Sequence, residues 1–256
     1  MRVASLGSGS RGNATLVSHR ATTLLIDNGF SLRECETRLA RLGSDAEAID
    51  AIVVSHEHGD HLAGAGAFAR RYGVPVWLSA GTLKAAAAAL GELPRTEVFS
   101  THTAFAIGDL LVEPVTVPHD AREPCQFIVD DGRTHLGLLT DTGHLTAHIR
   151  RRFDGLDGLL LEFNHDADLL RAGPYPEALK LRVGGPLGHL SNDQAAELLR
   201  AIDTGRLRLL VAMHLSQQNN RPDLVMRAVA TALDDIATGG ITVADQELGF
   251  AWRTLD

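Results

Sequence analysis

Ser55-His56-Glu57-His58-Gly59-Asp60-His61 is the stretch on which the reading of this chain turns. It directly follows the apolar run Ala51–Val54 and precedes an amphipathic pattern, which makes it a loop at the end of a strand. Four metal-ligand types, His56, His58, Asp60 and His61, fall within six residues, and no packing requirement puts so many ionisable groups at one turn. Imidazole nitrogens and a carboxylate oxygen are the donors that zinc and similar divalent ions accept. A loop this short can serve two adjacent ions but cannot complete both shells. Other strand ends must supply the rest.

Working outward, apolar and β-branched runs predict buried strands at Thr22–Asp27, Ala51–Ser55, Leu110–Val117, Cys125–Val129, Leu136–Thr140, Leu156–Leu161 and Leu207–Met213. Three of them end on a ligand type: His119 in Val117-Pro118-His119-Asp120, Asp141 in Leu139-Thr140-Asp141-Thr142-Gly143, and His214 in Met213-His214-Leu215-Ser216. Taken alone each is an ordinary loop residue, but their shared placement just past a strand makes all three candidates. Helical patterns lie between the strands, clearest at Leu62–Tyr72, Leu83–Leu90, Asp193–Ile202 and Pro222–Leu233. Ser191 followed by Gln194 is a capping-box pattern, so a helix begins there and His189 stands just before it.

The chain has 256 residues, 45% of them hydrophobic, enough for a sizeable core. No linker, repeat or charge block divides it, and one domain over residues 1–256 is expected. A formal net charge of −8 excludes a protein that coats nucleic acid through bulk positive charge. It does not exclude an enzyme acting on phosphates, because two bound divalent ions dominate the local field. Cys35 and Cys125 form no CxxC pattern and are read as reduced thiols. With no membrane-length apolar run and no signal-peptide core, a cytoplasmic protein without membrane contact is expected.

These motifs together resemble the metallo-β-lactamase superfamily of hydrolases, over almost the whole chain. The resemblance implies an α/β fold, a four-layer αββα sandwich with its ligands at successive strand ends. It implies that His56, His58 and His119 hold one metal, that Asp60, His61 and His214 hold the other, and that Asp141 bridges them. Asp27, in Leu25-Ile26-Asp27-Asn28-Gly29, either orients the ligand loop through hydrogen bonds or only terminates a strand.

The superfamily cuts lactams, thioesters and phosphodiesters, so substrate has to be read from the other motifs. Gly188-His189-Leu190-Ser191-Asn192 resembles the histidine motif of the phosphodiesterase branch, in which a non-ligand histidine lies near the scissile phosphate. Glu162 corresponds to a position that pairs with that histidine and keeps it a proton donor. More narrowly, Ser8-Gly9-Ser10-Arg11-Gly12-Asn13, Glu162-Phe163-Asn164-His165-Asp166, Gly188–Asn192 and His214–Asn220 resemble the YycJ/WalJ-type bacterial exonucleases. That resemblance implies a dinuclear metal-dependent phosphodiesterase, with zinc or manganese, degrading DNA from 5′ ends.

In this reading Asp60, Asp141, His189 and Glu162 are the catalytic candidates, with Asp60 or Asp141 steering the attacking water and His189 protonating the leaving oxygen. Asn13, Asn192 and His165 are candidate substrate contacts, and the Gly/Ser-rich segment before Asn13 offers backbone N–H groups to a phosphate. Phe163 stands where the family often has serine, which leaves substrate contact open there. Asp141 and His214 are only 73 residues apart, so the long insertion of the β-CASP nucleases is absent. Grip on the substrate must then come from surface loops or a second subunit, and a homodimer is the assembly considered. Arg150, Arg151, Arg152 and Arg182 are candidate phosphate contacts. The alternatives are a small-molecule phosphodiesterase or a glyoxalase-II-like thioesterase on the same fold, and a non-catalytic nucleic-acid-binding member.

Overall fold

The computed structural model describes residues 1–233 and 241–255. In chain order its first half contains β1 (Arg2–Gly7), β2 (Ala14–His19), β3 (Thr22–Ile26), α1 (Leu32–Arg41), β4 (Ala51–Val53), α2 (Gly59–Leu62), α3 (Ala65–Tyr72), β5 (Val76–Ser79), α4 (Ala80–Leu90) and β6 (Thr96–Phe99). The second half contains β7 (Phe105–Ile107), β8 (Leu110–Thr116), β9 (Cys125–Asp130), β10 (His135–Leu139), α5 (Ala147–Arg152), β11 (Gly158–Glu162), α6 (Ala167–Ala172), α7 (Glu177–Val183), α8 (Asn192–Ala201), β12 (Leu209–Met213), α9 (Pro222–Ala232), β13 (Thr242–Val243) and β14 (Phe250–Thr254). These strands form two seven-stranded sheets, ordered β14-β1-β2-β3-β4-β5-β6 and β13-β12-β11-β10-β9-β8-β7.

The central strands are apolar on both faces because both faces are covered. In β3, Leu24 and Ile26 point into the layer between the sheets, where they meet Phe127, Leu138, Leu160 and Val211. Leu25, between them in sequence, points outward to a second layer with Leu39, Phe68 and Leu90 of α1, α3 and α4. The other sheet repeats the pattern, with Leu160 facing the first sheet while Leu159 and Leu161 pack under Ile149, Leu198 and Val225 of α5, α8 and α9. Each such side chain, once fully buried, contributes roughly 1.5–3 kcal/mol, which is what holds strands this short. The result is the four-layer αββα sandwich.

Both sheets are mixed, and the mixture aims the site. The pairs β3–β4, β4–β5 and β5–β6 are parallel in one sheet, as are β10–β11, β11–β12 and β12–β13 in the other. Parallel neighbours deliver their C-terminal ends to the same edge. The residues after β3, β4, β10, β11 and β12 therefore gather along one rim.

The predicted strands are all present, with ends shifted by a residue or two where the chain leaves the ladder to form that rim. Strands β1, β2, β5, β6, β7, β13 and β14 were not anticipated; β1 and β2 are hidden by Ser, Thr and Gly residues whose polar atoms are bonded within the fold, as Ser5 Oγ is to Ala14 O. The capping box is formed, Gln194 N donating to Ser191 Oγ while Ser191 N donates to the Gln194 side chain. Cys35 and Cys125 are free and buried, and burial pushes the Cys35 thiol up to about 12. Among the described residues no helix is long and apolar enough to cross a membrane.

One helix prediction is corrected. Leu62–Tyr72 is not continuous: α2 ends at Leu62 and α3 starts at Ala65, with Gly64 as its N-cap. Asn28 and Phe30 cause the break, since Gly64 N donates to Asn28 O at 2.9 Å and a Cβ on Gly64 would stand 1.7 Å from Phe30 O. Gly64→Ala is therefore expected to cost about 1–3 kcal/mol of unfolding free energy, through forced backbone displacement under the ligand loop. Denaturant unfolding checks it, and a midpoint equal to the parent's would show that the contact yields freely.

Candidate metal centre

Three residues of the rim adopt the left-handed backbone conformation that side chains other than glycine rarely take: Asp27 (φ 59°), Asp141 (φ 53°) and His214 (φ 57°). Asp27 and His214 are the first residues after β3 and β12, and Asp141 is the second after β10. The left-handed turn bends the chain sharply at that point and swings the side chain inward over the sheet edge. Such conformations persist only where neighbouring bonds fix them, and they gather at functional sites.

Around these turns the imidazoles converge. His56 Nε2 and His119 Nε2 lie 3.1 and 3.2 Å from His58 Nδ1, so three ring nitrogens face a common point. A second point is shared by Asp60, His61 and His214, with Asp60 Oδ2 lying 3.5 Å from His61 Nε2 and 3.6 Å from His214 Nε2. Asp141 lies between the two groups, its Oδ2 at 3.3 Å from His61 Nε2 and its Oδ1 at 4.0 Å from His119 Nε2. All seven residues expected from the sequence as metal ligands are thus gathered in one place.

Four of the five candidate-ligand imidazoles, all but His58, have their second nitrogen hydrogen-bonded, which determines which nitrogen faces inward. His61 Nδ1 donates to Asp27 Oδ2 at 2.8 Å, His56 Nδ1 to Ser55 Oγ at 2.9 Å, and His119 Nδ1 to Gly188 O at 3.0 Å. Ser55 in turn donates its hydroxyl to Asp27 Oδ2, and its backbone N–H donates to Asp27 Oδ1, both at 2.8 Å. Asp27 therefore does more than terminate β3. His58 Nε2 faces Asp120 Oδ1 at 3.6 Å. His214 Nδ1 donates to Glu162 Oε1 at 2.9 Å, and His214 N donates to Ser8 Oγ at 2.8 Å.

Glu162, at the end of β11, is completely buried. Its Oε1 accepts from His189 Nδ1 (2.9 Å), His214 Nδ1 (2.9 Å) and Asp141 N (3.1 Å), and its Oε2 from Leu190 N (2.9 Å) and Thr142 N (3.4 Å). The pairing with His189 was expected; the simultaneous hold on His214 and on the Asp141 backbone was not. Asp141, Glu162, His189 and His214 are close enough together to hold a cation themselves. With both Glu162 oxygens accepting N–H groups, however, that carboxylate acts as a hydrogen-bond hub and is not free to bind an ion.

The donor set fits divalent cations on an independent ground. His214 Nε2 and Asp141 Oδ2 are buried and have no hydrogen-bond partner among the described residues. A buried unpaired polar atom typically costs about 1–3 kcal/mol, and both atoms point into the space a cation would fill. The clusters are therefore potential divalent-metal sites.

Charge follows the same division. Burial holds the His56 imidazole well below its ordinary value and also lowers His119, so both present lone pairs. Burial acts on His61 and His214 in the same sense but is outweighed by carboxylates, Asp141, Asp60 and Asp27 for His61, and Asp141, Asp60 and Glu162 for His214. His61 is pushed well up, and His214 up to about 10. Burial pushes Glu162 upward too, yet the charge of His189 and the bonds from His189 and His214 hold it down at about 2.

The candidate substrate contacts are placed less openly than the loop motifs suggest. Asn13 is buried, and its Nδ2 lies 3.3 Å from Asp60 Oδ2 and 3.1 Å from His61 Nε2. Asn192 is buried with its side chain bonded to Asn220, while His165 is buried with Nδ1 unpartnered. In the Gly/Ser-rich segment the backbone N–H groups expected to meet a phosphate are largely engaged: Ser8 N on Asp245 O, Gly9 N on Asn13 Oδ1, Arg11 N on Gln246 Oε1, Gly12 N on Gly9 O and Asn13 N on Asp60 O. That segment is an internal brace for the ligand loop. Of the arginines, Arg150 pairs with Glu197 and Arg152 with Glu113, whereas Arg182 pairs with Asp120 at the rim. Asp120 and Ser55 stood inside the quoted motifs unread; the Gly188 carbonyl and Ser8 hydroxyl carry no sequence signal of their role.

The family model described as a beta-lactamase superfamily domain matches residues 22–215. The chain is 32% identical over 236 residues to "Exodeoxyribonuclease YycJ" of Bacillus anthracis, covering 91% of this chain and 89% of that protein. It is 34% identical over 234 residues to "Exodeoxyribonuclease WalJ" of Streptococcus pneumoniae serotype 2, covering 89% and 86%. The crystal structure of Zn(2+)-bound PqqB from Methylobacterium extorquens superposes with a TM-score of 0.76 at 18% identity, over 100% of both chains, a likeness of fold alone.

The carboxylate-held protons on His61 and His214 give a pH test. A histidine whose folded value stands near 10 against an ordinary 6.5 contributes stability that is fully present below about 6.5 and is lost as pH rises through about 10. Chelator-treated protein should therefore melt at progressively lower temperature from pH 7 to 10, while protein loaded with zinc or manganese should not. Loading at pH 7 should release protons, because a ligand nitrogen must be bare. Loading with no proton release in weakly buffered titration would contradict the assignment of charge.

Proposed function

The chain belongs to the beta-lactamase superfamily, and on that premise we propose that it is a metal-dependent nuclease, a phosphodiesterase that degrades DNA from 5′ ends. The observation that carries this reading is the position of His189. Its Nδ1 is held 2.9 Å from Glu162 and its ring stands 5.3 and 5.1 Å, centroid to centroid, from those of His119 and His214, alongside both convergent groups and part of neither. A hydrolase needs such a group when the leaving oxygen must be protonated. DNA as substrate and the 5′ polarity rest on relatives named as exodeoxyribonucleases and on the motif resemblance.

In this reading His56, His58 and His119 hold one divalent ion, and Asp60, His61 and His214 hold the other, with Asp141 facing both. Zinc and manganese both suit this set of nitrogen and oxygen donors. When bound, the pair supplies positive charge against the phosphate oxygens and acidifies the attacking water. The remaining work falls to the protein. Asp60 and Asp141 accept hydrogen bonds from that water and orient it. Glu162 fixes the His189 ring through Nδ1, so Nε2 is the nitrogen that hands a proton to the departing sugar oxygen. Glu162 also anchors His214, which couples the acid to the ligand shell through one carboxylate.

A duplex labelled separately at its 5′ and 3′ ends, incubated with the manganese or zinc form, should release 5′ mononucleotides first. His189→Ala should retain its metal and its fold while turnover drops about 10²–10⁴-fold. Cleavage of a thioester or of bis-p-nitrophenyl phosphate with no action on DNA or RNA would reject the nuclease reading. An Ala variant that lost an ion would make His189 a ligand instead.

A further inference from the structure

Helix α7 has no fully buried side chain; Leu179, Lys180 and Val183 are half-buried and the rest are exposed. It is nevertheless mounted directly on the site. His189 N donates to Val183 O at 2.9 Å, His119 Nδ1 to Gly188 O at 3.0 Å, Asp120 N to Leu187 O at 3.1 Å, and His144 Nδ1 to Pro186 O at 2.8 Å. Gly143 completes the mounting, since a Cβ there would stand 2.3 Å from the Pro186 backbone. The segment from α7 to His189 is thus joined at once to the His119 group and to the candidate acid. What it presents to solvent is Leu181, 69% exposed, Leu187, 49% exposed, and the Arg182 side chain, 61% exposed.

Arg182 differs from the chain's other surface arginines in where it is tied. Its Nε donates to Asp120 Oδ2 at 2.6 Å, and Asp120 Oδ1 lies 3.6 Å from His58 Nε2 and 3.5 Å from His119 Nε2. Through Asp120 the guanidinium is tied to the edge of the His58 and His119 group. Its two Nη groups have no hydrogen-bond partner among the described residues. A guanidinium oriented through Nε presents the remaining fork that phosphate oxygens accept in pairs. In a chain of net charge −8, a polyanion must be held by such local cations.

We propose that Arg182 is the substrate clamp of this site, holding a phosphate beyond the scissile one, with Leu181 and Leu187 forming the apolar edge against the adjoining base. This rests on the nuclease reading and adds to it the residues that grip the strand. Apolar side chains suit that second contact because a nucleotide drawn out of the stack exposes its base faces. Asp120 is then a positioning residue, aiming the guanidinium from the ligand shell.

The test uses the metal-loaded full chain and a single-stranded oligonucleotide, comparing parent, Arg182→Ala, Arg182→Lys and the Leu181→Ser/Leu187→Ser pair. Metal content and melting temperature should match the parent in each. Arg182→Ala should raise KM by roughly 10–100-fold with a smaller change in kcat, the loss expected for one charge-assisted contact. Its binding, read by fluorescence anisotropy, should lose about 0.7 from the slope of log affinity against log salt, one single-strand phosphate contact. Lys should restore the slope but only part of the KM. The leucine pair should weaken binding to a normal strand more than to an abasic one. An unchanged KM and slope in Arg182→Ala, with the parent still cutting DNA, would overturn this inference alone; a parent that neither binds nor cuts nucleic acid would overturn the nuclease reading with it.

Discussion

A single carboxylate with no access to water sets the geometry of this site. Glu162 accepts five N–H groups, two from imidazoles and three from backbone. An ionised carboxylate in the interior is stable only when its lone pairs are met, and these donors meet them. The bonds run to three separate strand ends or loops: the turn after β10 that carries Asp141, the turn after β12 that carries His214, and the segment of His189 and Leu190 leading into α8. Displacing this one group would release a candidate ligand, the backbone of another and the candidate acid together.

Asp27 has the corresponding role in the other sheet. Its two oxygens hold the Ser55 backbone, the Ser55 hydroxyl and His61, and through Ser55 they reach His56. The His-rich loop is further fixed by backbone, with Asn13 N and Asn28 N donating to Asp60 O and His61 O at 2.7 Å each. A Cβ on Gly29 would stand 1.9 Å from Asp60 O, so the two loops touch main chain to main chain. Each sheet thus contributes a buried carboxylate that aims imidazoles at a shared space, and each carboxylate lies at or just past the end of a strand that has a parallel neighbour. The left-handed residues at Asp27, Asp141 and His214 are strained conformations that this bonding keeps in place.

Strong fixation of the centre leaves substrate grip to the rim. Inner-loop polar groups that a loop motif would offer to a ligand, in Ser8–Asn13 and at Asn192, are largely bonded within the protein. The exposed side chains near the centre lie on α7 and the turn that follows it, at Leu181, Arg182 and Leu187. That division matches the physics of a metallohydrolase, with rigidity at the ions and adaptable contacts at the periphery.

Much of this was legible in the sequence. His56, His58, Asp60 and His61 crowd one turn because ligand loops must, and His119, Asp141 and His214 each follow an apolar run, so the seven gathered residues could be read from local pattern, while the αββα class came from the family resemblance that those motifs carry. Local pattern also located the α8 capping box, whose bonds span only three residues. What stayed hidden depends on contacts between segments far apart in the chain. The break at Gly64 comes from Phe30 and Asn28, the engagement of the Ser8–Asn13 amides from Asp245, Gln246 and Asp60, and the shared hold of Glu162 on His189 and His214 from strands brought side by side. Arg182 reads in sequence like Arg150 and Arg152, and only folding separates them, by pairing those two with carboxylates away from the centre and setting Arg182 on Asp120 at the metal rim. Residue type and spacing determine what a segment can do; which of its donors remain free is decided by the partners that tertiary packing brings within hydrogen-bond reach.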